Sequence, residues 1–144
     1  MSLTESPNTV TVMQPGDEKQ FDTLRDQLAE NVPAATGMLL LATDGLARCA
    51  YGLPDDQDDT LAAASSGLAS LATGAAKALG DSRFKHINIT LENHHMIVTT
   101  CGEGSALVVM LPLNTRLGDA LRETVRIAAA FRPRMDTEPR SAGS

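Results

Sequence analysis

Aromatic residues are nearly missing from this chain: no tryptophan, one tyrosine and three phenylalanines among 144 residues, 3% in all. Surfaces that stack bases or sugars are built on aromatic rings, so this scarcity argues against a nucleic-acid or carbohydrate platform. Basic charge is also short. Twelve Lys and Arg stand against 18 Asp and Glu, leaving a net charge of −6 with no basic stripe. Neither nucleic acid nor an anionic membrane surface is therefore expected as a partner. Only two cysteines occur, Cys49 and Cys101, far apart and outside any CxxC pattern. They suit reduced thiols of a cytoplasmic protein rather than a disulfide framework. No apolar run is long enough for a bilayer, and residues 1–16 lack the basic start and apolar core of a secretory signal, so membrane insertion is not expected.

What is present is enough apolar content, 42%, to build one core. The stretch 60–79 holds eight Ala, four Leu, three Ser, two Thr, two Gly and a single charge, Lys77. Asp55, Asp56, Asp58 and Asp59 precede it and Gly80 follows, the charge and glycine placement of a helix. At helical spacing, Leu61, Ala64, Leu68, Leu71, Ala72, Ala75 and Leu79 form a stripe expected to face the domain's own sheet. Ala63, Gly67, Ser70 and Gly74 form a second, small and uncharged face. A helix without a charged side for water is expected to be covered twice, once by its own domain and once by another protein.

The remaining elements follow in order. Residues 1–16 show no periodicity and read as a disordered arm. Asp17 and Gln20 resemble a capping box before a first helix over 18–31, stopped by Pro33. The apolar run 38–42 suits a strand covered on both faces. Asp44 and Gly45 predict a type I′ hairpin turn into a second strand over 46–51. After the helix, 84–92 alternates as a third strand, with Ile87, Ile89 and Leu91 on one face and His86, Asn88 and Thr90 on the other. Strands over 95–100 and 105–111 follow, then a helix whose stripe is Leu117, Leu121, Val125, Ala128 and Phe131. Residues 132–144 read as a disordered tail, leaving one domain over 17–131. The order α-β-β-α-β-β-β-α defines an α/β (α+β) fold: a five-stranded, antiparallel-rich sheet with helices on both faces. The first and fifth strands belong in the middle, and the second and third at the edges, where unpaired backbone invites a second chain.

A search for chemistry finds none. Gly102-Glu103-Gly104 lacks a lysine and sits between strands, so it is a turn rather than a phosphate loop. His94 and His95 have no further ligand at metal spacing and read as an exposed turn. Ser65 and Ser66 lack a nucleophile-elbow context. The four acids at 55–59 lack a calcium-loop pattern. Cys49 has no histidine assigned to it. Catalytic, cofactor and metal residues are therefore assigned to no position, and the chain reads as an interaction module rather than an enzyme.

Val32-Pro33, Leu39-Leu40-Leu41, Asp44-Gly45-Leu46, Leu61-Ala62-Ala63, Ser66-Gly67-Leu68 and Ser70-Leu71-Ala72 stand in an order and spacing that resembles the bacterial Roadblock / dynein light chain family, over roughly residues 21–131. The resemblance implies a Roadblock/profilin-like fold and a homodimer in which the central helix and third strand meet their symmetry mates. It implies a regulator of a small Ras-like GTPase, accompanied in some systems by a sensor-kinase-like protein. Carried onto this chain, the dimer surface falls on Ala63, Gly67, Ser70, Gly74 and Lys77 of the helix and His86 and Asn88 of the third strand. The alternative expectation is a small-molecule-sensing or scaffold domain without a GTPase partner.

Overall fold

The computed structural model describes residues 7–10, 17–42, 44–102 and 105–135. In chain order these form Pro7–Val10 (β1), Asp17–Asn31 (α1), Gly37–Leu41 (β2), Ala47–Tyr51 (β3), Asp58–Ala78 (α2), His86–Thr90 (β4), His94–Thr100 (β5), Ala106–Pro112 (β6) and Leu117–Met135 (α3). The strands make one sheet in the order β1-β3-β2-β6-β5-β4, antiparallel at every neighbour. The five expected strands are all present, with the two most apolar at the centre. A sixth, β1, was not expected: four residues of the supposed arm pair with β3. The last helix also runs past its expected end, to Met135. The rest of the expected arm and tail, and the centre of the expected turn at 102–104, lie outside the described residues.

The strand alternation sorts the core into two layers. Met38, Leu40, Cys49, Tyr51, Ile97, Leu107, Val109 and Leu111 point to one face, where they meet Phe21, Leu24 and Leu28 of α1 and Ile127, Ala128 and Phe131 of α3. Leu39, Leu41, Ala50, Met96, Val98, Val108 and Met110 point to the other, where Ala62, Leu61 and Leu68 of α2 cover them. α1 is fixed further by polar contacts. The Tyr51 hydroxyl donates to Asp22 Oδ1 at 3.1 Å, and the Arg25 guanidinium lies 5.1 Å over the Tyr51 ring.

α2 ends as its sequence requires. Gly80 takes φ +87, its N–H donates to the Lys77 carbonyl at 3.1 Å, and the Asp81 N–H reaches the Ala76 carbonyl at 2.8 Å. This paired closure uses the left-handed residue that only glycine adopts cheaply. At the other end Gln57 precedes the helix without a side-chain cap bond, while Asp58 and Asp59 occupy the first turn. Acids in the first turn of a helix are favoured by its dipole.

The hairpin before β3 differs from the expected type I′ turn. Gly45 takes φ +84, but Asp44 does not enter the left-handed region. The Gly45 N–H donates to the Ala42 carbonyl at 2.9 Å, and the Asp44 carboxylate accepts the Leu46 N–H at 3.0 Å. The aspartate stabilises the turn through its side chain instead of its own backbone twist. This turn also touches α2: a Cβ at Gly45 would sit 2.9 Å from Ser66 Oγ. Gly45→Ala is expected to cost about 1–3 kcal/mol in urea unfolding, from the left-handed backbone and the clash together. Adding Ser66→Ala should recover only the clash. Full recovery would show that the backbone conformation contributes nothing.

Candidate functional site

The orientation of α2 decides what the molecule presents to partners, and it departs from the expected stripe. The side chains that α2 buries are Ala62, Ser65 and Ala76, with Leu61, Leu68, Ala69 and Ala72 half-buried beside them. Leu71 and Leu79, expected against the sheet, are 75% and 81% exposed, and Ala64 and Ala75 are exposed as well. The helix rests on small residues, which lets its backbone approach the sheet closely and turns two leucines outward. Ala63, Gly67, Ser70, Gly74 and Lys77 are all exposed. A Cβ added at Gly67 or Gly74 would meet nothing within 4 Å. The outward side of α2 thus combines small residues with exposed leucines, an apolar surface of the kind that marks an interaction site.

β4 lies at the sheet edge next to this half of the molecule, with no strand beyond it among the described residues. Ile87 and Ile89 point toward the α2 side and are only half covered. His86 and Asn88 are exposed but point to the opposite face, because neighbours along a strand alternate. The structure therefore gathers the five α2 residues, with Ile87 and Ile89, on one side of the sheet and leaves His86 and Asn88 on the other. Ile87, Ile89, Leu71 and Leu79 were not expected on this surface. The alternation at 86–90 was legible, but their apolar character had assigned them to the core.

Between α2 and the end of the sheet where Leu41 of β2, Thr100 of β5 and Ala106 of β6 lie runs an open trough of about 500 Å³. Ser66, Ser70, Thr73 and Lys77 form one wall, and Arg83, Phe84 and Thr100 stand opposite. It widens around Phe84 into a second trough of about 870 Å³ that reaches Leu79 and Val125. Both are clefts open to solvent on the flank of α2.

The two thiols, Tyr51 and His95 are buried away from this surface. Cys49 and Cys101 are free and buried. Burial pushes the Cys49 thiol far above its ordinary range, with Asp22 and Cys101 adding to the effect and Arg48 opposing it. Burial also raises the Tyr51 hydroxyl, helped by Cys49 and Asp22. His95 is not in an exposed turn as expected. It is buried, its Nε2–H donating to the Leu113 carbonyl at 3.1 Å and its Nδ1 accepting from the Thr90 hydroxyl at 3.2 Å. Both ring nitrogens are used in tying β4, β5 and the end of β6 together. His94 stays exposed. Among the described residues no group of three His, Cys, Asp or Glu could hold a metal ion, and no helix is long and apolar enough to cross a membrane.

This arrangement defines a class: an α+β domain with a sheet edge and an under-charged, partly apolar helix face on one side. The chain belongs to the Roadblock/LC7 domain family, whose model matches residues 22–111. A Roadblock/LC7 domain from Streptomyces avermitilis has the same fold, with 31% identity and a TM-score of 0.71 over 81% of this chain and 98% of that one. The gliding protein MglB from Thermus thermophilus shares the fold at 24% identity and a TM-score of 0.72, over 91% of this chain and 97% of its own. Myxococcus xanthus MglB shares it at 17% identity and a TM-score of 0.72, over 88% and 98%. No curated protein matches the chain.

The buried thiol and phenol carry a pH prediction. Folded Cys49 and Tyr51 hold protons that the unfolded chain releases once the pH passes their ordinary values, about 8.5 and 10. Stability is therefore expected to fall as the pH rises above about 8.5, by up to about 1.4 kcal/mol per pH unit for each group that titrates only when unfolded. Urea unfolding across alkaline pH should show this slope, and Cys49→Ala should remove the thiol's share of it. An identical slope in that variant would contradict the assignment.

Proposed function

We propose that this chain is a non-catalytic homodimeric adaptor that binds and regulates a small Ras-like GTPase in a bacterial signalling system. The observation that carries the reading is the outward side of α2. Its small residues and exposed leucines lie on the same side of the sheet as half-covered isoleucines on an open edge strand. Two-fold pairing covers such a helix face and such an edge together, because the same patch is used on both copies. Family membership supports the partner class, and the structural relatives include a gliding protein and MglB in a tetrameric arrangement. In this reading the protein works in the cytoplasm, and a sensor-kinase-like protein is a further partner. The alternative of a small-molecule sensor draws less support. The troughs beside α2 are open, whereas a ligand site encloses most of its ligand.

Gly67→Arg and Ser70→Glu test the dimer surface. Both positions are exposed in the single chain, and the Gly67 site has room for a side chain, so each variant should fold normally. Light scattering is expected to give the mass of two chains for the unaltered protein. The variants should show at least a tenfold weaker self-association, about 1.4 kcal/mol. An unchanged dimer in both would rule out this surface. The partner class is tested separately, by titrating the cell's own Ras-like GTPases loaded with GDP or GTP. Binding with a preference for one nucleotide state is expected, and no binding in either state would remove the GTPase reading.

A further inference from the structure

β1 differs from the other strands in how it is held. β5 and β6 share seven residue pairs, β2–β6 and β4–β5 share five each, all in unbroken register, and β2–β3 share four with one slip between Leu40 and Leu41. β1 meets β3 through three pairs, Pro7 with Tyr51, Thr9 with Ala50 and Val10 with Cys49, and the register slips between the first two. Pro7 has no N–H to give to the ladder. β1 also lies outside the family match over 22–111, within which the other five strands and α2 all fall or nearly so.

β3 is placed differently. Cys49, Ala50 and Tyr51 are fully buried in the core, and β3 is also paired with β2 on its other side through four residue pairs. If β1 leaves, β3 stays, and the backbone groups it turns toward β1 become an open edge. That edge is short and uncharged except for Arg48, and it has no proline to blunt it. Pairing about a two-fold axis at Cys49 would set Arg48 opposite Ala50 of a second copy, so the like charges do not face each other.

We infer that β1 is a detachable edge cap, and that the β3 edge beneath it is a second self-association surface whose occupant is another copy of this chain. The inference builds on the dimer reading given above for one consequence. A protomer with two separate two-fold edges, β4 and β3, forms an open-ended line of molecules, whereas one with a single such edge stops at a dimer. In this account β1 is what closes the sheet, and its release converts a dimer into a growing assembly.

The test uses the full chain carrying Thr9→Pro and Val10→Pro. Of two adjacent strand residues one turns its N–H to the neighbouring strand, so the pair removes a ladder bond whichever it is. Sedimentation velocity is expected to show a concentration-dependent mass at least twice that of the unaltered protein, reversed by a synthetic peptide of residues 5–12. The same substitutions combined with Gly67→Arg should stop at two chains, because only the β3 edge remains. A variant that keeps its far-ultraviolet spectrum and the unaltered mass at every concentration overturns the cap. So does growth that the peptide fails to reverse. A variant that unfolds also overturns it, since β1 would then be an integral part of the core. If instead the mass grows but the combination with Gly67→Arg still forms long assemblies, the cap stands and the α2 dimer surface is what fails.

Discussion

Five residue pairs join β2 to β6, and both members of every pair are buried. This pairing is the constraint on which the rest of the structure depends. Two strands covered on both faces must have helices above and below them, and each buried Leu, Val or Met contributes about 1.5–3 kcal/mol relative to exposure. The hairpin to β3 extends the sheet on one side and the β5–β4 meander extends it on the other. α1 and α3 then divide one face between them, while α2 alone serves the other. The open surface of the protein follows from that division: two helices can shield a sheet of this width, and one cannot.

The uneven layering accounts for features that look anomalous in the isolated chain. Leu71 and Leu79 stand in solvent on a helix with one charge in its last five turns, and Ile87 and Ile89 are only half covered. On a monomer these would be a liability. Together they form an apolar side of the sheet that a single helix leaves partly uncovered. Two ring side chains in the core tie the elements together. Tyr51 orders α1 through Asp22 and Arg25, and His95 uses both ring nitrogens to hold the far ends of three strands.

Much of this was legible in the residues. The runs at 38–42 and 105–111 announced the central strands, which left the strands over 46–51 and 84–92 for the edges, correct for the second but not for the first, which β1 covers; Gly80 announced the end of α2. What misled was the assumption that large apolar residues face inward. On α2 the sheet takes Ala62, Ser65 and Ala76, because small side chains permit close approach; Leu61 and Leu68 pack beside them as expected, but Leu71 and Leu79 look outward. The small outward residues were placed correctly on the exposed side, yet His86 and Asn88 were joined to them without asking which face of the strand they occupied. β1 could not be read at all. Four residues, Pro-Asn-Thr-Val, have too little pattern to declare a strand, and only the vacancy beside β3 gives them one. The buried His95 was hidden for a related reason: its partners, Thr90 and a carbonyl at Leu113, are defined by strand register, which spacing alone does not supply.

The central claim is that β4 and the outward side of α2 are covered together by a second copy of the chain. Amide hydrogen exchange followed as a function of protein concentration tests it most directly. The account predicts that the amides of His86–Thr90 not bonded to β5 are protected at high concentration. On dilution through the dissociation range they should exchange at least about tenfold faster, in step with backbone protection along α2. If those amides exchange at the fast rate of an unpaired edge under conditions where light scattering shows a dimer, the dimer is built elsewhere and the account is wrong.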